Sequence, residues 1–576
     1  MGEGGEGGDA RTTTPAGRGA LDLDRGWIPL AALVLAVCLP ILLAVVDGAR
    51  ADWVPTADAA TIVTRAFDMW SPHRPLVGQF SLAGSTGSKQ VFSPGPLLYV
   101  LLAPAARFGP AWTLPLTMGL WASACFTVAL VAARRIGGWW FAAIVALGLV
   151  GTVRASGASA YVEVWNPWAG LAPFAALILV CWLVALGRRW WLVPAVVLAS
   201  FLVQAHLTYL PPSLVLLAVA LVGGWWPGVT GVERGAEAGE PEARSGPSPD
   251  PVPRVPPIVG AVVALLVCWA LPLYQQFTTS PGNLTLVREA AGADGETFGA
   301  GVAVNVWWRA SGLVPAFVRP TETGVGELDQ LRVAGGPFAW IGTVVLAALL
   351  VGLAVVAHRR GKRDVLLGAV LALGLSVAAL AVAARLPLDR LIVAPYSLRW
   401  IVTAGLVPWL AGALAVIRFD LLRRWIPARG VPRAVAVGAV AVVALTSLSV
   451  SRTDGAAWMS EPARVAGADL VAATSPGDRV RLADSGRYEI VMTPALAWSL
   501  REHGRLPVMI RNFHVGTGEL YGKRGVRCDG VVSLREASEP APEGARRIST
   551  IDYDQPGSPQ TVAVYLAPDD SAHGLC

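Results

Sequence analysis

The sequence predicts a mainly α-helical, multi-pass membrane protein of about eleven spans followed by a small C-terminal α/β domain, and three observations predict it. Of 576 residues, 54% are hydrophobic and only 15% charged, whereas soluble domains average about 25% charged. Uncharged runs such as 27–46 and 258–274 reach the roughly 17–25 residues a helix needs to cross the hydrocarbon layer. The basic residues fall as pairs and clusters between such runs, as topogenic signals do.

Taken in order, residues 1–24 are Gly-, Glu- and Thr-rich with Arg11 and Arg18, too polar to build a core, and read as a disordered cytoplasmic arm. The membrane domain is expected over 25–451, its first span at 27–46. Ala49-Arg50-Ala51 is similar to a signal-cleavage site, but the apolar stretch before it exceeds the roughly 7–15 residues of a signal peptide, so an uncleaved span is expected. Further spans are expected near 110–133, 138–153, 167–187, 190–204, 208–226, 256–274, 337–357, 364–384, 399–418 and 433–451.

With the N-terminus inside, Arg134-Arg135, Arg188-Arg189, the cluster 358–363 and the segment 418–433 all stay cytoplasmic, as the positive-inside tendency requires. That arrangement needs the short, proline-interrupted stretch 94–109 to be an interfacial or re-entrant helix rather than a span. Residues 227–257 are Pro-, Gly- and Glu-rich, a disordered cytoplasmic linker. Two long outer loops, 47–93 and 275–335, and an extracytoplasmic domain, 452–576, follow. In that domain strand-like runs at 479–482, 508–510 and 561–565 alternate with a helical stretch at 494–503.

The net charge of +6 is accounted for by topology, so nucleic-acid binding is not expected. Cys38, Cys125, Cys181 and Cys268 fall in predicted spans, where a thiol acts as a small hydrophobe. Cys528 and Cys576 lie in the outer domain, where an oxidised pair closing the tail is compatible with the compartment.

The first outer loop gathers carboxylates and arginines. Asp58 stands in a locally apolar, helix-prone stretch, where a partly buried carboxyl would have its pKa raised and could serve as a general base. Arg65 lies seven positions on, about two turns along the same helix face, suited to an anionic phosphate. Asp68, three further on, is placed to pair with Arg65. The same spacing also describes a solvated loop helix laced with ion pairs.

Glu163, between Tyr161 and Asn166, and His206, between Gln204 and Tyr209, lie at outward ends of spans, where ionisable groups commonly mark a substrate path. An interhelical hydrogen bond is the structural alternative for His206. Tyr396 and Arg399, with Arg390, put further polar groups at the outer interface, suited either to a lipid phosphate or to snorkelling toward ordinary headgroups.

The run Thr56-Ala57-Asp58-Ala59 with Arg65 and Asp68, then Pro75-Leu76-Val77-Gly78, Phe80-Ser81 and Pro94-Gly95-Pro96-Leu97-Leu98, resembles the first outer loop of GT-C-type polytopic glycosyltransferases. Trp165-Asn166-Pro167, Pro173-Phe174 and 200–206 are similar to segments of an actinobacterial branch, and the likeness runs over most of the membrane part.

The resemblance implies a sugar transferase using a polyprenyl-phosphate-linked donor at the outer face of the cell membrane, with an envelope glycan or lipid as acceptor. Asp58 takes the position of the base, and inversion at the anomeric carbon would follow from one direct displacement. A divalent cation or an arginine would stabilise the departing phosphate. Related enzymes often carry a second acid shortly after the first and a His before the Pro-Gly-Pro turn. This chain has Ile62 and Val63 in the first region and Ser93 in the turn, so no metal is carried over. The alternatives are a transporter or flippase of lipid-linked precursors and a catalytically silent envelope scaffold.

Overall fold

The computed structural model describes residues 27–86, 89–225, 255–291, 295–319, 333–388, 394–421, 457–483, 488–509, 528–555 and 558–568, with isolated positions between 438 and 445. The expected arm 1–24, most of the linker 227–257, most of the span 433–451, Arg390 and Cys576 lie outside them.

Helix α1 (Trp27–Arg50) leads into the short α2 (Ala57–Phe67), a hairpin of β1 (Phe80–Thr86) and β2 (Lys89–Phe92), and α3 (Leu97–Phe108). Then come α4 (Thr113–Ser156), α5 (Asn166–Ala169), α6 (Leu171–Ala185), α7 (Leu192–Ala205) and α8 (Leu210–Trp225). Next are α9 (Val255–Thr278), α10 (Asn283–Ala291), α11 (Gly299–Ser311), α12 (Pro337–Arg359), α13 (Arg363–Arg385), α14 (Ala394–Leu398) and α15 (Trp400–Arg418). Among the described residues, 8 helical segments are long and apolar enough to cross a membrane.

One of them, α4, covers 44 residues in two helical halves, more than a single crossing of the hydrocarbon layer needs. Two expected spans, 110–133 and 138–153, are joined in it across a sharp break at Gly138, whose φ of 76° suits glycine and disfavours any side chain. The best-buried window, within Asn166–Ala185, is 94% buried, so α6 forms the axis of the bundle. Windows in Pro256–Thr278 and Pro337–Arg359 are 17% and 11% buried, so α9 and α12 are peripheral, with apolar sides that suit lipid.

The two ends of the bundle differ in chemistry. At one, Arg418 ion-pairs with Asp364 and donates to the Ile136 carbonyl at 2.7 Å. Arg363 donates to the Ala185 carbonyl at 3.0 Å and also to that of Gly223, and Arg189 to that of Gly224 at 3.1 Å. Guanidinium groups thus satisfy carbonyls at helix C-termini, where the helix dipole favours cations. Arg134 and Arg135 stack on Trp139 and Trp191 at the same end.

The opposite end carries α2, the hairpin and α3. Trp53, Tyr99, Leu114 and Met118 share one apolar cluster there, so the chain enters and leaves α3 on the same side. With 12 residues, α3 is about 18 Å long, short of the roughly 30 Å hydrocarbon thickness.

The C-terminal part builds α16 (Ala457–Ala472), β3 (Arg479–Leu482), α17 (Glu489–Glu502), β4 (Leu506–Met509), β5 (Gly530–Glu536), β6 (Arg546–Gln555) and β7 (Ser558–Ala567). The sheet order is β4-β3-β5-β7-β6, parallel through β4, β3 and β5 and antiparallel through β7 and β6. Val480, Leu482, Val532, Val562 and Val564 meet Met492 and Leu496 of α17 in its core. Cys528 is disulfide-bonded, while Cys38, Cys125, Cys181 and Cys268 are free thiols.

This domain docks on α2, which is not a solvated loop helix: every residue from Ala60 to Phe67 is buried. Ile62 and Val63 are 0% exposed and share a cluster with Tyr99 of α3 and Trp498 of α17. Apolar side chains thus fill the region where the resembled enzymes often place a second acid.

Candidate active site around Asp58

Asp58 lies in the first turn of α2, where the helix dipole favours a carboxylate. Asp58 keeps solvent access although protein is packed densely around it. Trp165 donates its indole N–H to Asp58 Oδ2 at 2.9 Å. Burial raises the carboxyl above its ordinary pKa, and that hydrogen bond lowers it part of the way back. The preceding residue, Ala57, holds a left-handed φ of 47°, an unfavourable conformation for a residue with a Cβ.

An aromatic group extends from Trp165. The Tyr396 ring meets it edge-on at 4.5 Å between centroids, and Trp168 meets it at 5.4 Å. Tyr396 belongs to α14, so three distant segments, 58, 165–168 and 396, are brought together. Arg399, just beyond, stands at the start of α15 within electrostatic reach of Tyr161.

Deeper, Arg65 is 9% exposed and its guanidinium lies beside the Tyr99 hydroxyl, which donates to Gln79 Oε1 at 3.1 Å. Gln79, Tyr99, Asn166 and Gln204 line a small void together with Gly78 and Gly95. Asn166 donates to the Ala205 carbonyl at 3.1 Å, and Gln204 accepts from the Leu97 amide at 3.4 Å while donating to the Cys268 carbonyl at 2.8 Å. These amides fasten the Pro-Gly-Pro turn to the bundle. A Cβ on Gly95 would lie 2.2 Å from Gln204 Oε1, which explains the glycine.

The remaining expected residues divide. Glu163 is half-buried in the connection that carries Trp165. His206 ends α7 and bonds Thr208 through Nδ1 at 2.8 Å, and burial lowers its pKa to about 4, leaving it neutral. Asp68 is 1% exposed and its Oδ1 accepts from Arg501 Nη2 of α17 at 2.9 Å, an interdomain ion pair. Among the described residues no three His, Cys, Asp or Glu side chains converge on a metal site. The described donors around Asp58, an indole and aromatic rings, do not fit a divalent cation.

Sequence reasoning did not single out Trp165 as the partner of Asp58, nor Trp168, Tyr99 or Arg501. The signal for the first two was the aromatic-rich Trp165-Asn166-Pro167-Trp168 turn ahead of a span. Nothing local marks the others.

The backbone as a whole superposes on the crystal structure of ArnT from Cupriavidus metallidurans bound to undecaprenyl phosphate, with a TM-score of 0.52 over 93% of this chain and 98% of that one, at 14% identity. The chain has the GT-C fold. The apo state of the same ArnT gives a TM-score of 0.51 at 14% identity, covering 94% and 98%. No protein-family model and no curated protein sequence matches this chain. In terms of the GT-C fold, α2, α3 and the Trp165 turn sit at the end of the bundle that also carries the C-terminal domain.

Proposed function

We propose that the protein transfers a sugar from a polyprenyl-phosphate carrier to an acceptor hydroxyl of the cell envelope, on the outer face of the membrane. The observation that carries this reading is the Asp58 carboxylate, accessible to solvent and held by the Trp165 indole N–H at 2.9 Å. The GT-C fold, shared with an ArnT that binds undecaprenyl phosphate, supports the donor class. The gathering of arginines at the far end of the bundle supports an orientation with that end cytoplasmic and Asp58 outside.

In the proposed step Asp58 takes the proton of the acceptor hydroxyl as its oxygen bonds to the anomeric carbon. The bond from that carbon to the phosphate oxygen breaks, and the polyprenyl phosphate leaves with the electron pair. A single displacement inverts the anomeric configuration. Arg399, at the start of α15, is the residue proposed to meet the lipid phosphate, and Trp165, Trp168 and Tyr396 offer apolar ring surface to the sugar.

The test is sugar transfer from radiolabelled polyprenyl-phosphate sugars by membranes holding the wild type or Asp58→Asn at matched expression. The expected loss is about 10²–10⁴-fold, the range for removing a general base. Equal transfer by both would overturn the role of Asp58. A wild type that transfers from no donor would favour a silent envelope binder, the reading to which the buried Ile62 and Val63 lend weight. Movement of lipid-linked precursor without bond formation would favour a transporter.

A further inference from the structure

We infer that Arg501 of the C-terminal domain is a positioning residue for Asp58, holding α2 in place through Asp68 and Phe67. The inference rests on the proposed role of Asp58. Three observations carry it.

First, α2 has 11 residues, too few to be stable in isolation, since helices shorter than about 12–15 residues are marginal in water. Its position must come from what packs on it, and that is α3 on one side and α17 on the other. Second, the contact with α17 is polar as well as apolar. The Asp68 side chain is 2% exposed and accepts from Arg501 at 2.9 Å. The same guanidinium lies 5.1 Å from the centre of the Phe67 ring, and the Trp498 ring meets Phe67 edge-on at 5.9 Å. Arg107 of α3 covers Phe67 at 4.4 Å, so the last residue of α2 is gripped from both neighbours. Third, Ala57 at the other end of the helix holds a φ of 47°. Such a conformation persists only where the surroundings over-determine it.

A guanidinium fixed on a sealed carboxylate is directional, and removing one partner of such a pair leaves the other desolvated without that partner. Loss of Arg501 therefore frees the C-terminal end of α2. A small displacement of that helix carries Asp58 away from Trp165 and from the acceptor. Misplacement of a catalytic group by about 1 Å can cost about 10²-fold in rate while leaving substrate affinity in place.

The full chain in lipid nanodiscs, as wild type, Arg501→Gln and Arg501→Lys, is compared by amide hydrogen exchange over residues 57–67 and by steady-state transfer. Arg501→Gln is expected to speed exchange across α2 and to lower kcat by at least about tenfold, with KM for the polyprenyl-phosphate sugar within about twofold. Arg501→Lys is expected to recover part of both. Should Arg501→Gln raise exchange throughout β5, β6 and β7, the isosteric Asp68→Asn probes the same contact from the membrane side. Unaltered exchange in α2, or unaltered kcat with faster exchange, would overturn the inference. If the wild type transfers no sugar, the functional reading falls, and the exchange measurement alone still decides whether Arg501 holds α2.

Discussion

Trp165 and Asp58, 107 residues apart, are joined by one hydrogen bond of 2.9 Å from the indole N–H to Oδ2. Burial raises the Asp58 pKa, and this bond favours the charged form. A base with a raised pKa loses its working form as pH falls, at a pH above the ordinary carboxylate range. Trp165→Phe removes the opposing influence, so the acid limb of kcat/KM should move to higher pH. A limb that stays in place or moves down would separate Trp165 from the titration of Asp58.

Gly95 admits no side chain. Gly95→Ala should destabilise the protein by about 1–3 kcal/mol, the usual cost of overpacking, because its Cβ would press on Gln204 and Pro272. Thermal unfolding in detergent reads the loss. A wild-type midpoint would show that the Pro-Gly-Pro turn can move off Gln204.

At Ala57 the expectation has the opposite sign. Ala57→Gly should stabilise by about 1 kcal/mol, since glycine adopts a left-handed φ without the Cβ clash. Ala57→Val should destabilise. The two midpoints should therefore fall on either side of the wild type.

The arginine-rich end makes a separate prediction. Asp364→Asn weakens the ion pair with Arg418, which also caps the Ile136 carbonyl. The Arg418 side chain is 38% exposed, so the loss is discounted for solvent and set at about 1 kcal/mol. It should shrink further in high salt, and salt-independent destabilisation would point to packing instead.

Much of the membrane part was legible because a span announces itself locally. Helices α1 and α12 come from single uncharged runs whose length alone decides their fate, and α13 from one that follows Asp364. Strand β3 and part of β7 were legible from alternating side chains. Two features were not. The break at Gly138 sits where the residues merely read as a short connection, and only the backbone angle shows that two helical halves meet there with no intervening loop. Arg501, which ion-pairs with Asp68, lies 433 residues away from it, and helix spacing points only to the nearby Arg65. Within the site, Asp58 could be found from its apolar neighbours. Its contact with Trp165 could not, because hydrogen bonds between distant segments leave no periodic trace.

The 12 residues of α3 decide more than their own place. Every later segment inherits its side of the bilayer from whether this helix turns back or passes through. Lengthening it by two turns of leucine and alanine would bring it to about 20 residues, enough to traverse. On the proposed orientation, the new crossing would compete with the arginine pairs downstream, each moved to the opposite compartment. Glycosylation-site mapping on such a chain would show which wins, the added apolar length or the retained charge.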